Sequence, residues 1–147
     1  MNNLDPVDIL LVEDNQKDAE LMIRALKKHN LINRFVVIED GAEALDFIFC
    51  KGKYAQREIT QRPKVILLDL KLPKVNGLEV LKAIKEDART QQIPVVMVTS
   101  SQQDPDVRSA YDLGANSYLV KPVGFDAFYT AMTNVGLYWL LVNQPLQ

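Results

Sequence analysis

Hydrophobic residues in this chain form five short runs, and the segments around them carry a helical repeat. The runs are rich in β-branched and aliphatic side chains, and they cover residues 7–12, 34–38, 65–70, 94–99 and 117–120. Runs of that length and composition predict strands buried on both faces. After each run, apolar residues recur every three or four positions, which predicts amphipathic helices.

Strand and helix therefore alternate five times along the chain. This alternation predicts an α/β fold, a doubly wound parallel sheet of five strands with right-handed crossovers and helices on both faces. For five strands we expect the flavodoxin-like order 2-1-3-4-5, with a crevice between the first and third strands. The 147 residues, 48% of them hydrophobic, suit a single domain over positions 1–147.

The charge balance argues against a polyanionic partner. There are 17 basic and 19 acidic residues, and the net charge of -2 offers no bulk attraction to nucleic acid or to an anionic membrane. Cys50 is the single cysteine, which suits a reducing compartment. Residues 1–5 carry no basic leader, and the apolar runs are too short to span a membrane, so we expect a cytoplasmic protein.

Four of the five predicted strands end in a group that is useful in phosphate chemistry. These groups are Glu13-Asp14, Asp69, Thr99 and Lys121. Because parallel strands direct their carboxyl ends to one edge of the sheet, we expect the groups to meet there. Carboxylates gathered in one crevice repel each other, and Lys121 together with a divalent cation would neutralise them. Oxygen ligands without histidine or cysteine favour a hard ion, and Mg²⁺ is the best candidate.

This arrangement predicts phosphoryl transfer to a carboxylate. Asp69 would attack phosphorus in line, while Lys121 would neutralise charge on the equatorial oxygens and Thr99 would hydrogen-bond one of them. Each residue alone also has an ordinary structural interpretation. Residues 13–15 could cap the first helix and Asp69 could begin a turn. Thr99 could be a β-branched strand end, and Lys121 a solvated loop lysine.

Four sequence motifs resemble the receiver domain of two-component response regulators. They are Glu13-Asp14, Leu-Leu-Asp69-Leu-Lys-Leu-Pro-Lys-Val-Asn-Gly77, Val-Met-Val-Thr99-Ser and Tyr118-Leu-Val-Lys121-Pro122. The resemblance extends over nearly the whole chain. It implies a signalling protein that accepts a phosphoryl group from a phosphohistidine on a sensor histidine kinase. Such a protein catalyses its own phosphorylation and dephosphorylation but is not an enzyme that turns over a separate substrate.

The resemblance also implies a role for each site residue. Asp69 is the expected phosphoacceptor, and Mg²⁺ is expected on Glu13, Asp14, Asp69 and the main-chain carbonyl of Lys71. Thr99 is implied as the switch hydroxyl, Tyr118 as the switch aromatic and Lys121 as the phosphate-pairing lysine. On phosphorylation Thr99 would move inward and Tyr118 would turn from outside to inside, whereas a half-buried strand aromatic is the alternative for Tyr118. The Lys121–Pro122 bond is expected to be cis. We further expect the Lys71 side chain to alter hydrolysis of the phosphorylated state.

The end of the last predicted helix suggests a partner surface. Residues 137–142 are apolar on every side, so one face has nothing left in this chain to cover it. We predict a homodimer through the fourth helix, the fifth strand and the fifth helix, with Tyr138 and Trp139 as anchors. The alternative is that this segment folds back on its own domain. Together with the long loop at 54–64, this end resembles the small regulators paired with cyanobacterial phytochrome kinases.

Three other functions compete with this interpretation. A phosphatase with an aspartyl nucleophile would use the same Asp69, but such enzymes usually carry a general acid where this chain has Lys71. A flavin-binding module shares the fold, but Glu13 and Asp14 would repel a phosphate. A receiver that is never phosphorylated would act as a constitutive adaptor, and the complete set of site residues argues against that function.

Overall fold

The computed structural model describes residues 7–28, 30, 32 and 34–143, and residues 1–5 therefore lie outside the described part. Five strands form one parallel sheet in the order β2-β1-β3-β4-β5, which confirms the predicted flavodoxin-like topology. The strands are β1 (Ile9–Val12), β2 (Phe35–Ile38), β3 (Val65–Leu68), β4 (Val95–Thr99) and β5 (Ser117–Val120).

Helices follow the strands in the predicted alternation. They are α1 (Gln16–Lys28), α2 (Gly41–Ile48), α3 (Gly77–Glu86), α4 (Asp104–Asp112) and α5 (Phe125–Gly136). A short 3₁₀ turn covers Gly52–Tyr54, and a π-helical segment, Leu137–Val142, continues from α5. Across the described ranges, no helix has the length and hydropathy needed to cross a membrane.

The sheet is covered on both faces by separate apolar clusters. One cluster joins alternate strand residues such as Leu10, Ile66 and Met97 to α2, α3 and α4. The other joins Ile9 and Leu67, together with further strand residues, to α1 and α5. Because neighbouring residues of a strand point to opposite faces, a fully apolar strand is needed to build both clusters.

The long loop between α2 and β3 is held against the fold by Arg57. Its guanidinium lies 3.8 Å from the centre of the Phe47 ring. It also donates to the main-chain oxygens of Phe47 and Gln61. Arg57 is only 9% exposed.

The last helix differs at its two ends from the buried stripe that its sequence predicts. Apolar residues recur there every three or four positions, at Phe125, Phe128, Met132, Val135, Trp139 and Val142. Phe128 and Met132 are buried, whereas Phe125 and Val142 are 56% and 67% exposed. A stripe repeating at 3.6 residues stays on one face of an α-helix, but a π-helix changes that period. The i→i+5 hydrogen bond from Asn143 N–H to the Tyr138 oxygen (2.7 Å) marks the change. Val142 therefore leaves the buried face.

Candidate functional site

Three acidic side chains meet at the carboxyl ends of β1 and β3. Glu13 and Asp14 follow β1 directly, and Asp69 follows β3. One carboxylate oxygen from each residue lies within 4.8 Å of one from each of the others. The parallel register of β1 with β3, which pairs Val12 with Leu68, brings these positions side by side. The predicted gathering of distant residues is therefore found.

The three acids differ strongly in their exposure. Glu13 is 2% exposed and Asp69 is 8% exposed, whereas Asp14 is exposed to solvent. Glu13 Oε2 accepts a hydrogen bond from the Asn15 N–H at 3.1 Å. Its Oε1 is buried and contacts Lys121 Nζ at 2.6 Å, but no donor in the described residues is aligned to form a hydrogen bond with it.

Lys121 extends from the end of β5 into this group of acids. Its Nζ lies 2.6 Å from Glu13, 2.9 Å from Asp18 and 3.3 Å from Asp69. The Lys121 N–H donates to the Thr99 oxygen (2.8 Å), which fixes where the side chain begins. Asp18 was not predicted as a site residue. It lies in the first turn of α1, where an acidic residue is common for reasons of helix stability.

Burial and neighbouring charges change the pKa values of Glu13 and Lys121. Burial, reinforced by the charge of Asp69 and only partly offset by Lys121, raises the pKa of Glu13 to about 7. Burial alone would lower the pKa of Lys121, but its contacts with Glu13 and Asp18 raise that pKa above its ordinary value. Lys121 is therefore a fixed positive charge, and the acids around it exceed that charge.

Asp69 is held by main-chain contacts on both sides. Its N–H donates to the Val12 oxygen (3.0 Å), and its Oδ1 accepts from the Leu70 N–H (2.7 Å). At Gly77, an added Cβ would lie 2.0 Å from the Asp69 main-chain oxygen. Glycine at that position lets the start of α3 approach the backbone of the site.

The cap of the first helix, which residues 13–15 could provide, is formed by Asn15. Asn15 caps α1, because its Oδ1 accepts from the Asp18 N–H at 3.0 Å and its main-chain oxygen accepts from the Ala19 N–H. Glu13 and Asp14 are therefore free of the capping role. Asp14 instead lines an open groove of about 540 Å³ together with Lys71 and Asp106.

Thr99 and Tyr118 are linked through Ser101. Thr99 is 1% exposed, and its Oγ1 accepts from the Ser101 N–H at 3.4 Å. Tyr118 is half-buried, and its hydroxyl donates to the Ser101 oxygen at 2.9 Å. The Ser101 hydroxyl in turn donates to Asp106 on α4. Tyr118 therefore contacts the loop that follows β4.

Of two expectations about the region that follows β5, one is wrong and the other is refined. The expected cis Lys121–Pro122 bond was wrong, since the described residues contain no cis peptide bond. The preference for trans persists before proline, although it is small. Tyr138 is 49% exposed, whereas Trp139 is half-buried against the apolar cluster that joins the sheet to α1 and α5. The two rings pack edge-on against each other.

The donor set suits a hard divalent cation. Glu13, Asp14 and Asp69 supply only oxygen, and the Glu13 Oε1 atom is buried without a well-aligned donor. One lysine cannot balance that many carboxylates, so a cation would relieve the excess of negative charge.

The fold and this site define a class of protein. A model of the response regulator receiver domain matches residues 9–133, and the chain belongs to that family. It is a receiver domain of two-component signalling, in which a phosphoryl group is accepted by the domain itself.

Several known proteins are similar to this chain over nearly their whole length. The chain is 41% identical to the probable methanogenesis regulatory protein FilR2 of Methanothrix harundinacea, covering 95% of this chain and 88% of that protein. It is 37% identical to response regulator Rcp1 of Synechocystis, covering 92% and 90%. The Mn²⁺-bound structure of Rcp1 and the phosphorylated cyanobacterial phytochrome response regulator RcpA each superpose with a TM-score of 0.89 at 34% identity. Each superposition covers 97% of this chain, together with 100% of the Rcp1 chain and 99% of the RcpA chain.

Proposed function

We propose that Asp69 is the phosphoacceptor of this receiver domain and that Glu13, Asp14 and Asp69 hold Mg²⁺, with the Lys71 carbonyl as a further ligand. The observation that carries the proposal is the convergence of the three acids with Lys121 at one edge of the sheet. The structure of a Mn²⁺-bound relative supports a divalent cation in this family. Mg²⁺ is the ion that combines few carboxylates with retained water and phosphate oxygens.

The proposed reaction transfers a phosphoryl group from a phosphohistidine. An oxygen of Asp69 forms a bond to phosphorus while the bond from phosphorus to the donor imidazole nitrogen breaks. That nitrogen takes up a proton, and Asp69 becomes an acyl phosphate. Lys121, 3.3 Å from Asp69, pairs with the arriving oxygens, and Thr99 donates its hydroxyl to one of them. A divalent cation, when bound, would neutralise further charge on these oxygens.

Labelling with a small phosphodonor tests this assignment. We expect incubation with acetyl phosphate and Mg²⁺ to add one phosphoryl mass, and peptide mapping to place it on Asp69. Asp69→Asn should abolish the addition, whereas Asp106→Asn in the neighbouring groove should keep it. Full labelling of Asp69→Asn, or labelling that survives removal of divalent cations, would contradict the proposal.

The change at Asp69 is proposed to reach a protein-interaction surface through Thr99 and Tyr118. Thr99 contacts Ser101, which contacts both Tyr118 and Asp106. A phosphoryl group that draws Thr99 toward Asp69 would therefore pull on the loop that joins β4 to α4. Phosphorylation would in this way change the shape of α4 and β5.

A second copy of this chain is the partner proposed for that surface. All four residues of β5 are half-exposed at the edge of the sheet. Nearby side chains that remain exposed include Tyr111 at 50% and Phe125 at 56%, and Tyr138 is 49% exposed beyond α5. We expect Tyr138 and Trp139 to anchor a homodimer. Sedimentation should detect a dimer that Tyr138→Glu weakens, and a monomer at high micromolar concentration with and without phosphorylation would contradict it.

A histidine kinase is the proposed donor, and a phytochrome kinase the specific type. The likeness to RcpA, a phytochrome response regulator, supports that choice. Transfer from an autophosphorylated phytochrome kinase should be much faster than transfer from an unrelated histidine kinase. Equal rates from both donors would remove the support for a phytochrome partner and leave the assignment of Asp69 intact.

A further inference from the structure

Asp18 is the one carboxylate near Lys121 that the proposed chemistry does not use. It lies in the first turn of α1, and its side chain is 29% exposed. Its Oδ2 lies 2.9 Å from Lys121 Nζ. Among the described residues, Asp18 is not one of the three acids whose oxygens converge closely enough to share a cation, and its carboxylate contacts the lysine instead.

The three contacts of Lys121 are unequal. Its Nζ is 2.6 Å from Glu13 and 2.9 Å from Asp18, but 3.3 Å from Asp69. An ammonium group has three N–H donors. Lys121 donates hydrogen bonds to Asp18 and Asp69, and its charge is also paired with Glu13. A phosphoryl group on Asp69 would bring new oxygens that need these donors, and the shorter hydrogen bond to Asp18 holds one of the donors away from them.

We infer that Asp18 is a positioning residue that competes with the phosphoryl group for Lys121 and thereby slows the phosphorylation of Asp69. The inference rests on the proposed role of Asp69 as phosphoacceptor. Glu13 and Asp69 are also the proposed ligands of the cation, so their charge is shared between that ion and the lysine. Asp18 has no such second use and keeps its hold on Lys121.

The negative charge of Asp18 should slow phosphorylation of Asp69, as its contact with Lys121 does. Asp18 is half-exposed at the rim of the site, and a phosphodonor is an anion. A negative charge a few ångströms from the path of that anion raises the free energy of its approach, although solvent screens part of the effect. Removing the charge should therefore release Lys121 and ease the entry of the donor together.

The side chain of Asp18 can be changed without disturbing the start of α1. The helix cap is formed by the Asp18 N–H, which donates to Asn15 Oδ1 at 3.0 Å. An asparagine at position 18 keeps that N–H and nearly the same shape. Glu20, in the same helix, is 75% exposed and pairs only loosely with Arg24 at 3.9 Å, so Glu20→Gln is a matched control for the loss of one negative charge.

The experiment compares labelling rates of the full chain with acetyl phosphate at saturating Mg²⁺. An Asp69 oxygen bonds to phosphorus as acetate leaves, and intact mass reports the product with time. We expect Asp18→Asn to raise the rate constant per donor concentration about fivefold. Asp18→Glu, which restores the charge, should return within about twofold of the wild type, and Glu20→Gln should match it.

The outcomes separate this inference from the proposed function. If the wild type is not labelled on Asp69, the proposed function itself fails. If the wild type is labelled but Asp18→Asn is equal or slower, only the competition is wrong, and Asp18 instead supports Lys121 in place. Thermal unfolding of each variant is measured in parallel, and Asp18→Ser provides a second uncharged variant if Asp18→Asn proves unstable. A loss of fold would lower the rate, so it cannot imitate the expected increase.

Discussion

The centre and the edge of the sheet are built differently. Every residue of β1 and β3 is buried, whereas every residue of β5 is half-exposed. The central strands end in Glu13 and Asp69, which are fixed by main-chain contacts. The edge strand carries Tyr118, which contacts the loop between β4 and α4, and it leads to Lys121, whose long side chain reaches Asp69. This difference in burial supports our proposal that the centre of the sheet performs the chemistry and that the edge, which has exposed surface, transmits the change.

The centre should be intolerant of added volume at Gly77. Alanine there would place Cβ 2.0 Å from the Asp69 main-chain oxygen. We expect Gly77→Ala to lower the free energy of unfolding by about 3 kcal/mol and to slow labelling of Asp69. Gly124, where an added Cβ meets nothing within 4 Å but φ is 100°, should cost only about 1 kcal/mol as alanine. Equal losses at the two sites, measured by urea unfolding, would contradict a rigid centre.

The buried acid of the centre predicts a pH dependence of metal binding. The pKa of Glu13 is raised to about 7, and a cation needs the deprotonated carboxylate. Affinity for Mg²⁺ should therefore rise with pH through 7, with about a tenfold gain between pH 6 and pH 8. The metal-free fold behaves in the opposite way. It binds more protons than the unfolded chain between the unfolded and folded pKa values of Glu13, so its stability falls as pH rises to 7.

Calorimetry in buffers of different ionisation enthalpy measures both the affinity and the protons released. Glu13→Gln is the matched variant, because glutamine keeps the shape and cannot titrate. Its affinity should be weaker and nearly independent of pH in the same range. An unchanged pH dependence in Glu13→Gln would mean that another group titrates.

The edge should tolerate the loss of one hydrogen bond. Tyr118→Phe removes the donor to the Ser101 oxygen and should reduce the free energy of unfolding by about 1 kcal/mol. Labelling of Asp69 should remain close to that of the wild type, because Tyr118 does not contact the acids. Tyr111→Phe on the exposed part of α4 is the control. A Tyr118→Phe variant that cannot be labelled would remove the distinction between centre and edge.

The smallest effect is expected at Lys71, on the rim of the groove. The exposed Lys71 side chain lines that groove beside Asp14. We propose that water approaches the acyl phosphate through this groove. Lys71→Ala should therefore speed dephosphorylation by roughly twofold, because the approach is less obstructed. Lys74→Ala in the same loop, where the lysine pairs with Asp40 at 3.8 Å, is the comparison. A dephosphorylation rate unchanged in Lys71→Ala would contradict this role.

The sequence predicted the site residues whose positions depend only on where a strand ends. Apolar runs determine which residues form β1 and β3, so the places of Glu13 and Asp69 followed directly. Asp18 gave no comparable signal, because an acidic residue in a first helical turn is common and its partner is 103 positions away. The contrast between buried Glu13 and exposed Asp14 also depends on tertiary packing that a pair of adjacent acids does not reveal.

The end of the last helix shows where the repeat of apolar residues fails to predict burial. The predicted stripe assumed the α-helical period throughout, and the buried Phe128 and Met132 obey it. The π-helical segment breaks the period, so Val142 faces solvent. A change from α-helical to π-helical hydrogen bonding depends on tertiary packing, and an apolar stretch alone does not predict it.

Arg57 has a practical consequence for anyone who wishes to tag this protein. Its stacking on Phe47 and its two carbonyl contacts make the residues around it part of the folded body. The polar composition of that stretch would otherwise recommend it for an inserted epitope or a protease site. Insertion there should cost solubility and yield, and trypsin should cleave at Arg57 only after the chain has unfolded.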